Sequence, residues 1–419
     1  MDDGALPPAD PDGFYDLVVV GAGIVGLAAA RALLLRRPDL RLAVLDQHDD
    51  VGFHQTGRNS GVMHAGIYYV PGSLKARLCV DGVRRLYDYC EQHSIAHERC
   101  GKVIVATEAS ELERLDALEE RGRANGVPGL RRLDAGGITE LEPHCQGIAG
   151  LHSPHTGIVD YGGVARAMAG ELRERGARLA TGCAVTGTRR QQGDVVIDHT
   201  RGTLRAKHAV FCAGLWSDRL AAADGASTDP RIVPFRGAYL KLRPDARRLV
   251  RGLIYPVPDP ALPFLGVHLT KHIDGDVLLG PTALLVGARD AYDLKTVRAR
   301  DVAETLAWPG TWRMMRRFWR TGLREMHLAA SRRAFVAANR RFVPDLEPKH
   351  VLPGPAGVRA QAVARDGKLV DDFVVSETPG AIHVRNAPSP AATSSLALGD
   401  LIADRVEAAF GLAPATART

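Results

Sequence analysis

Residues 15–46 read YDLVVVGAGIVGLAAARALLLRRPDLRLAVLD, and this stretch decides the fold. The run YDLVVV is typical of a buried strand, AAARALLLRR predicts a helix that ends before Pro38, and RLAVLD predicts a second strand. Glycines at positions 21, 23 and 26 separate the first strand from the helix. This order of elements is typical of the start of a Rossmann-like nucleotide-binding domain.

Each glycine of the turn has a predicted role. Gly21 allows a tight turn, Gly23 lets the backbone approach a pyrophosphate, and Gly26 lets the helix pack on the strand. The free N–H groups at the start of the helix then face the phosphates. Asp46 ends the second strand, where an acid can accept a hydrogen bond from a ribose. A glycine turn without a ligand is the alternative, but the full order of elements favours nucleotide binding.

FAD and NAD fit these residues equally well, and later segments bear on the choice. VFCAGLWSDRL, at residues 210–220, predicts a strand that runs into a glycine and then a helix. HVRNAPSPAATSSLALGDLIADRVEAAFG, from His383, predicts a strand, a proline-bounded turn and an amphipathic helix that opens at residues 390–393. A compact nicotinamide domain would end earlier. A late helix start can also offer N–H groups to the electron-rich edge of a reduced flavin.

Composition narrows the class of protein. A chain of 419 residues, 45% of them hydrophobic, can bury a large core, and its length favours two interleaved domains. A net charge of +6 suits acidic small molecules, anionic membrane surfaces or plain solubility. The six cysteines contain no CxxC pair, which is typical of reduced thiols. The stretch MDDGALPPADPDGF lacks the features of a secretory signal, so we predict a flexible arm and a cytoplasmic protein.

Longer motifs resemble a known family. The motifs are HQTGRNSGVMHAGIYYVPGSLKARLC, CGKVIVAT, PHTGIVDY, CAGLWSDR, DPRIVPFRGAYL, IYPVPDPALPFLGVHLT, GPAGVRAQAVARDGKLVDDFV and HVRNAPSPAATSSLALG. Together they resemble the L-2-hydroxyglutarate dehydrogenases and oxidases, which are FAD enzymes of the wider D-amino-acid-oxidase-like fold. The resemblance implies FAD as cofactor. It also implies an α/β fold with a discontinuous Rossmann-like FAD-binding domain and an α+β substrate domain built on an antiparallel sheet.

The resemblance also implies where the domains lie. We predict an arm at 1–13, an FAD-binding domain at 14–90, 150–225 and 349–410, a substrate-binding domain at 91–149 and 226–348, and a tail at 411–419. RIVPFRGAYLKLRP, LVRGLIYPVP, PFLGVHLT and GDVLLGP predict successive strands of the antiparallel sheet.

Three positions depart from the common family pattern. Arg58 stands in HQTGRN where HQTGHN is common, Ala238 stands where FRGDY or FRGEY often carries an acid, and Thr282 stands in GPTAL where GPNAV is usual. Each of these residues is a candidate for the substrate pocket, so the exact substrate is less certain than the cofactor.

The stretch from His54 to Tyr69 is implied to wrap the flavin, because its small residues permit a close backbone approach and Asn59 and Ser60 can hydrogen-bond the cofactor. The full set of predicted cofactor residues is Gly21, Gly23, Ile24, Val25, Gly26, Asp46, Gln47, Thr56, Gly57, Asn59, Ser60, Gly61, Val185, Ala213, Gly214, Gly357, Val358, Pro390, Ala391, Ala392 and Thr393.

Oxidation of a 2-hydroxy acid needs a base for the hydroxyl proton, and a histidine titrates in the useful range. We predict His64 as the base, with His268 as its competitor. Two substrate carboxylates need cations or fixed donors, because an unpaired buried carboxylate is costly. The predicted substrate-binding residues are Arg58, Arg236, Tyr255, His268, Thr270 and Arg359, and Arg359 is also predicted to act in catalysis.

The leading hypothesis is therefore the FAD-dependent oxidation of L-2-hydroxyglutarate, or a close 2-hydroxy diacid, to the 2-oxo acid. One alternative is an amino-acid or amine oxidase of the same fold. Another is a catalytically silent protein that binds flavin or docks on a membrane. The electron acceptor, oxygen or a membrane quinone, stays open.

Two other patterns suggest a function, one a zinc site and the other a membrane contact. Cys145 and the HxxH of His152 and His155 have loose zinc-like spacing without a second cysteine pair, so no metal is predicted. Residues 312–342 contain nine arginines and one glutamate among aromatic residues, which predicts one or two basic helices and a peripheral contact with anionic lipid on the inner face of the membrane. A solvated helix face is the alternative. No nucleic acid is predicted, because the stretch matches no binding module.

Overall fold

The structure of the protein is a computed structural model that describes residues 13–260, 262 and 265–412. It contains the strand, turn, helix and strand that were predicted at the start of the chain. Residues 1–12 of the predicted arm and 413–419 of the predicted tail lie outside the described residues. The strands are β1 Phe14–Val20, β2 Leu42–Leu45, β3 Val62–Met63, β4 His97–Glu98, β5 Lys102–Ala106, β6 Arg131–Asp134, β7 Ala149–Ser153, β8 Gly157–Val159, β9 Arg178–Ala180, β10 Val185–Gln191, β11 Asp194–His199, β12 Gly202–Phe211, β13 Arg231–Leu242, β14 Leu253–Pro256, β15 His268–Lys271, β16 Val277–Gly280, β17 Leu284–Leu285, β18 Val351–Val363, β19 Val374–Thr378 and β20 Ala381–Asn386. The α-helices are α1 Ile24–Arg36, α2 Leu74–Gln92, α3 Leu112–Ala124, α4 Ala135–Leu141, α5 Tyr161–Glu174, α6 Ser217–Ala223, α7 Ala299–Ala307, α8 Pro309–Ala330, α9 Arg332–Asn339 and α10 Ser395–Phe410.

The described chain forms two compact units, and the first consists of residues 13–57, 161–232 and 370–412. Its sheet has the strand order β10-β11-β12-β1-β2-β9, with β20 beside β12 and β19 beside β20. The strands β20, β12, β1, β2 and β9 run parallel. Strands of a parallel sheet are covered on both faces, which explains the continuous apolar runs of β1 and β2.

Helix α1 lies against α10 in the first unit. The two backbones approach closely, because a Cβ atom at Gly399 of α10 would lie only 2.6 Å from the carbonyl oxygen of Ala28. The side chain of Arg36 adds ion pairs to Asp404 at 2.6 Å and Glu407 at 3.0 Å. These contacts hold the glycine-turn helix against the last helix of the chain.

The second unit consists of residues 58–160 and the described residues of 233–369. Its large sheet has the order β17-β13-β16-β15-β14-β5-β7-β6, with β18 beside β13. The pairings of β13 with β16 and β17, of β15 with β14 and β16, and of β7 with β5 and β6 are antiparallel, whereas β14 pairs with β5 in parallel. The predicted antiparallel sheet is therefore confirmed, although Pro263 and Phe264 of the predicted PFLGVHLT strand lie outside the described residues.

The compact units divide the chain differently from the predicted domains. Residues 58–90, 150–160 and 349–369 pack with the second unit, because β3 pairs with β8 and β18 joins the large sheet. Residues 226–232 pack with the first unit, where Ile232 N donates to Asp218 Oδ2 at 3.0 Å. Which unit serves the cofactor and which the substrate stays a prediction.

Two helix predictions have different outcomes. The basic segment forms helices α8 and α9, as predicted. The last helix begins at Ser395 rather than at residues 390–393, so that prediction is wrong by a few residues. Residues 390–394 instead form a turn in which Ser394 N donates to the carbonyl oxygen of Pro390 at 2.9 Å. Within the described ranges, no helix is long and apolar enough to cross a membrane.

Candidate functional site

The glycine turn of the first unit is held by two backbone contacts. Gly21 has a φ of +110°, which favours glycine, and a Cβ atom there would overlap the carbonyl oxygen of Cys212. A Cβ atom at Gly26 would overlap the carbonyl oxygen of Gly21. Packing within the protein therefore requires glycine at both positions.

Packing does not require glycine at position 23. A Cβ atom there would meet only Thr56 Oγ1, at an ordinary 3.5 Å. Ile24 N donates to the same hydroxyl at 3.0 Å, and the first bond inside α1 runs from Leu27 N to Gly23 O. The N–H groups of Val25 and Gly26 thus belong to the open first turn of the helix. An anionic ligand close to Gly23 explains the residue, and the pyrophosphate of FAD fits this turn.

Asp46 has a structural role that the sequence did not reveal. Its Oδ2 accepts a hydrogen bond from Ala22 N at 2.7 Å, and its Oδ1 accepts one from His48 N at 2.9 Å. The neighbouring Gln47 contacts His54, with Nε2 atoms 3.0 Å apart. Burial raises the pKa of the Asp46 carboxyl. The carboxylate therefore braces the glycine turn, and its contact with a ribose stays a prediction.

The other predicted cofactor residues of the first unit lie in loops and at strand ends. A Cβ atom at Gly57 would lie 2.9 Å from Gly52 O, and Gly214 has a φ of +50°. The buried hydroxyl of Thr393 hydrogen-bonds to that of Tyr161 at 3.0 Å. Val185 begins β10, Ala213 follows β12, and Pro390, Ala391 and Ala392 form the turn before α10.

The remaining predicted cofactor residues, Asn59, Ser60, Gly61, Gly357 and Val358, belong to the second unit. Asn59 Oδ1 accepts a hydrogen bond from Gly61 N at 2.7 Å, and Gly61 has a φ of +71°. A Cβ atom at Gly357 would overlap the carbonyl oxygen of Arg58. Gly357 is therefore needed where two segments of this unit cross, whether or not it also contacts a flavin.

One face of the large sheet carries a cluster of polar side chains within an apolar core. Tyr255 of β14 lies opposite His268 of β15, and their ring centroids are 4.1 Å apart. Strand alternation puts Thr270 and, from β5, Lys102 on the same face. All four side chains are buried. The structure thus brings together the predicted residues Tyr255, His268 and Thr270 and adds Lys102.

The two predicted histidines favour their neutral forms. Burial lowers the pKa of His268 to about 3, and its Nδ1 donates to the carbonyl oxygen of Gly266 at 2.9 Å, which leaves Nε2 as an acceptor. Burial, followed by the positive charge of Lys102, lowers the pKa of His64 well below its usual range. A neutral imidazole is the form that can take up a proton.

The predicted arginines fall into two groups. The positive charge of Arg359 lowers the pKa of His268 and counteracts the rise that burial causes in the pKa of Tyr255, so Arg359 acts on the polar face. Arg58 and Arg236 instead contact Tyr292. The guanidinium of Arg58 lies 4.0 Å from its ring centroid, and Arg236 Nε donates to its carbonyl oxygen at 3.0 Å.

Two of the departures from the family pattern belong together. Ala238 N donates to Thr282 Oγ1 at 3.1 Å, and Thr282 N donates to Ala238 O at 3.0 Å. Thr282 is buried. The hydroxyl of Thr282 therefore binds the backbone at position 238, whichever side chain stands there.

Three residues that lie near the predicted ones, Lys102, Tyr68 and Cys79, were not predicted from the sequence. Lys102 Nζ lies 4.2 Å from the Tyr255 ring centroid and 5.1 Å from that of Tyr68. The Tyr68 hydroxyl is buried and has no hydrogen-bond partner in the described part of the chain. Cys79 Sγ donates to His64 O at 3.1 Å. The alternation of CGKVIVAT was a usable signal for Lys102, because a lysine at an inward position of an apolar strand is unusual.

The weighed zinc pattern finds no support in the geometry. Among residues 13–260, 262 and 265–412, no three His, Cys, Asp or Glu side chains are grouped to hold a metal ion. The rings of His152 and His155 instead lie beside Gly101 and Gly129.

The contrast between Gly23 and Gly26 can be tested. Gly23→Ala should leave the unfolding temperature of the apoprotein unchanged and weaken FAD binding by roughly 10- to 100-fold, because the methyl group enters ligand space only. The matched variant Gly26→Ala should also destabilise the apoprotein by about 1–3 kcal/mol. Thermal unfolding of both apoproteins and titration with FAD measure these effects. Wild-type FAD affinity in Gly23→Ala would contradict the assignment.

Comparisons with known proteins agree with this geometry. The family model described as FAD dependent oxidoreductase (DAO) matches residues 16–405. The human mitochondrial L-2-hydroxyglutarate dehydrogenase is 47% identical over 95% of this chain and 90% of its own. The L-2-hydroxyglutarate dehydrogenase of Indibacter alkaliphilus is 42% identical over 93% and 98%.

A solved structure supports the fold. The reduced, FAD-bound L-α-glycerophosphate oxidase of Mycoplasma pneumoniae superimposes with a TM-score of 0.76, at 22% identity, over 94% of each chain. The similarity to the two dehydrogenases extends over nearly the whole sequence. The chain therefore belongs to the DAO family of FAD-dependent oxidoreductases and, within it, to the L-2-hydroxyglutarate dehydrogenases.

Proposed function

We propose that this protein oxidises L-2-hydroxyglutarate to 2-oxoglutarate. The observation that carries the proposal is the 47% identity to the human L-2-hydroxyglutarate dehydrogenase over 95% of the chain. The polar face of the second unit supports it, because neutral His268 lies there beside Lys102, and the charge of Lys102 also acts on neutral His64.

The substrate carries two carboxylates, and each needs a cation or several donors once water is removed. Arg359 is our candidate for one carboxylate, because its charge acts on Tyr255 and His268. A guanidinium can bind a carboxylate through two parallel hydrogen bonds. Tyr255 and Thr270 contribute hydroxyl groups on the same face. Arg58 and Arg236, which both contact Tyr292, are the weaker candidates.

The C2 hydroxyl must lose its proton as the alcohol becomes a carbonyl. FAD, when bound, supplies the acceptor for the hydride that leaves C2. We propose His64 as the base for the hydroxyl proton and His268 as a residue that positions the substrate. His268 donates its Nδ1 hydrogen to Gly266, and its ring stacks on Tyr255, so both its tautomer and its orientation are defined.

Reduction of the bound flavin tests the substrate directly. L-2-hydroxyglutarate, mixed anaerobically with the purified protein, should bleach the visible flavin absorbance. D-2-hydroxyglutarate, L-malate and L-glutamate should act far more slowly, because the site must match both the stereochemistry and the spacing of the carboxylates. Bleaching by L-glutamate would favour an amino-acid oxidase instead. Failure of every compound would contradict the proposed oxidation and leave a flavin-binding protein.

The role of His64 can be tested separately from binding. His64→Gln should slow flavin reduction at saturating L-2-hydroxyglutarate by roughly 10²- to 10⁴-fold, because the hydroxyl proton loses its acceptor. His268→Gln should mainly raise KM. The control is His144→Gln, which removes a partly exposed ring paired with Asp345 at 2.8 Å. If His64→Gln reduces the flavin at the wild-type rate while His268→Gln does not, the two roles must be exchanged.

We also propose that α8 contacts an anionic membrane surface. Five of its apolar residues, spaced three or four apart, are exposed: Trp312, Met315, Trp319, Leu323 and Met326. Residues at this spacing lie on one face of a continuous helix, and the kink at Phe318 (φ −112°, ψ 20°) separates Trp312 and Met315 from the three apolar residues that follow it. Five arginines flank this face, at positions 313, 316, 317, 320 and 324. In the described part of the chain, none of the five forms an ion pair with a carboxylate, so their charge is available for lipid phosphates.

A contact with the bilayer also bears on the electron acceptor. Quinones dissolve in the membrane, so a protein held at its surface can transfer electrons to a quinone. We therefore favour a membrane quinone over oxygen as the acceptor. The location of the protein in the cytoplasm, at the inner face of the membrane, stays a prediction.

Vesicle binding tests the role of α8. The protein should cosediment with phosphatidylcholine vesicles that contain phosphatidylserine and not with phosphatidylcholine alone. Replacing Arg316, Arg317, Arg320 and Arg324 by Gln should abolish binding. A charge-matched control replaces Arg84, Arg123, Arg298 and Arg300, which are exposed and ion-paired, and should bind normally. Equal losses in both variants would show that net charge, not α8, determines binding.

A further inference from the structure

Lys102 is a buried lysine that has no anionic partner among the described residues. It lies in β5 with 1% of its surface exposed, and no carboxylate in the described ranges forms an ion pair with it. Two other lysines of the same sheet are paired. Lys271 Nζ lies 2.7 Å from Glu98 Oε1, and Lys241 Nζ lies 3.1 Å from Asp276 Oδ2. Lys102 therefore differs from these lysines in both burial and pairing.

The surroundings of Lys102 suit a ligand better than a structural role. Nζ lies over the ring of Tyr255 at 4.2 Å and near that of Tyr68 at 5.1 Å, and such contacts offset only part of the cost of burial. An apolar side chain would fill the same space without that cost. A buried charge that is kept beside other polar side chains despite this energetic cost is typical of a binding residue.

Lys102 also acts on the residues proposed for catalysis. Its positive charge lowers the pKa of both His64 and His268, and Arg359 lowers that of His268 from its own position. Two cations, Lys102 and Arg359, therefore act on His268 of the polar face, and the proposed substrate carries two carboxylates. Arg359 can pair with only one of them through two parallel hydrogen bonds.

We propose that Lys102 pairs with the second carboxylate of the diacid while Arg359 pairs with the first. This inference rests on the proposed function, since it assumes a dicarboxylate substrate. It assigns a specificity-determining role to Lys102, which was not among the substrate-binding residues predicted from the sequence.

Substrate binding should then be coupled to proton uptake. Burial lowers the pKa of Lys102 to about 7, so above this pH the free protein holds it mostly neutral. A bound carboxylate favours the ammonium form and raises this pKa. Affinity for the diacid should therefore be highest below about pH 7 and fall, by up to about tenfold per pH unit, as the pH rises above it.

Calorimetric titration with glutarate tests the pairing. Glutarate is a symmetric dicarboxylate without a C2 hydroxyl, so it reports binding without oxidation. Lys102→Met should weaken glutarate binding to the FAD-loaded protein by roughly 10- to 100-fold. At pH 8, titrations in buffers of different ionisation enthalpy should show proton uptake by the wild type and none by the variant. The matched control Lys271→Met removes a paired lysine from the same sheet and should bind normally.

The unfolding temperature separates a binding role from a structural one. Lys102→Met should keep or raise it, because the variant removes an unpaired buried charge. Weaker glutarate binding with an unchanged or raised unfolding temperature would support the proposal. Unchanged binding, or weaker binding with a lowered unfolding temperature, would overturn it. A wild-type flavin that L-2-hydroxyglutarate cannot reduce would instead contradict the proposed function, independently of the glutarate result.

Discussion

The first unit depends on a close backbone contact between a strand and a helix. Gly26, in the first turn of α1, lies so close to the carbonyl oxygen of Gly21 that a side chain would not fit between them. This contact places the open N-terminus of α1 at the end of β1, where the N–H groups of the first turn have no acceptor within the helix. Asp46 completes the arrangement by accepting hydrogen bonds from Ala22 and His48. A phosphate-binding turn is thus produced mainly by backbone geometry.

The second unit depends on a different constraint, which is the cost of burying polar groups. Its sheet presents Lys102, Tyr255, His268 and Thr270 on one face, although much of the surrounding core is apolar. Burial lowers the pKa values of His64, His268 and Lys102, so the two histidines are neutral and Lys102 loses its proton more readily. Because these groups are already desolvated, an arriving anion meets donors that have little water to lose. The same burial that lowers stability therefore suits the face to the charged substrate that we propose.

Several residues show which features could be predicted from the sequence and which could not. The turn at residues 21–26 was predictable, because the geometry of its own backbone requires glycines at this spacing. Tyr255, His268 and Thr270 were named as candidates, and strand register brings them together. The start of α10 was placed too early, because proline and threonine are common both in turns and at helix starts. The hydrogen bonds between Ala238 and Thr282 could not be predicted, since they join residues far apart in sequence.

The sequence alone determined the local features: the nucleotide-binding turn, the order of strands and helices, the FAD family and the basic helix α8. Each of these depends on residues close together in the chain, or on motifs long enough to be specific. Only the tertiary structure decided which side chains share the polar face and which cations lack a partner. Lys102 illustrates the difference, since its strand was readable from CGKVIVAT. Its isolation from every described carboxylate follows from strand register and burial, which arise only when distant segments pack together.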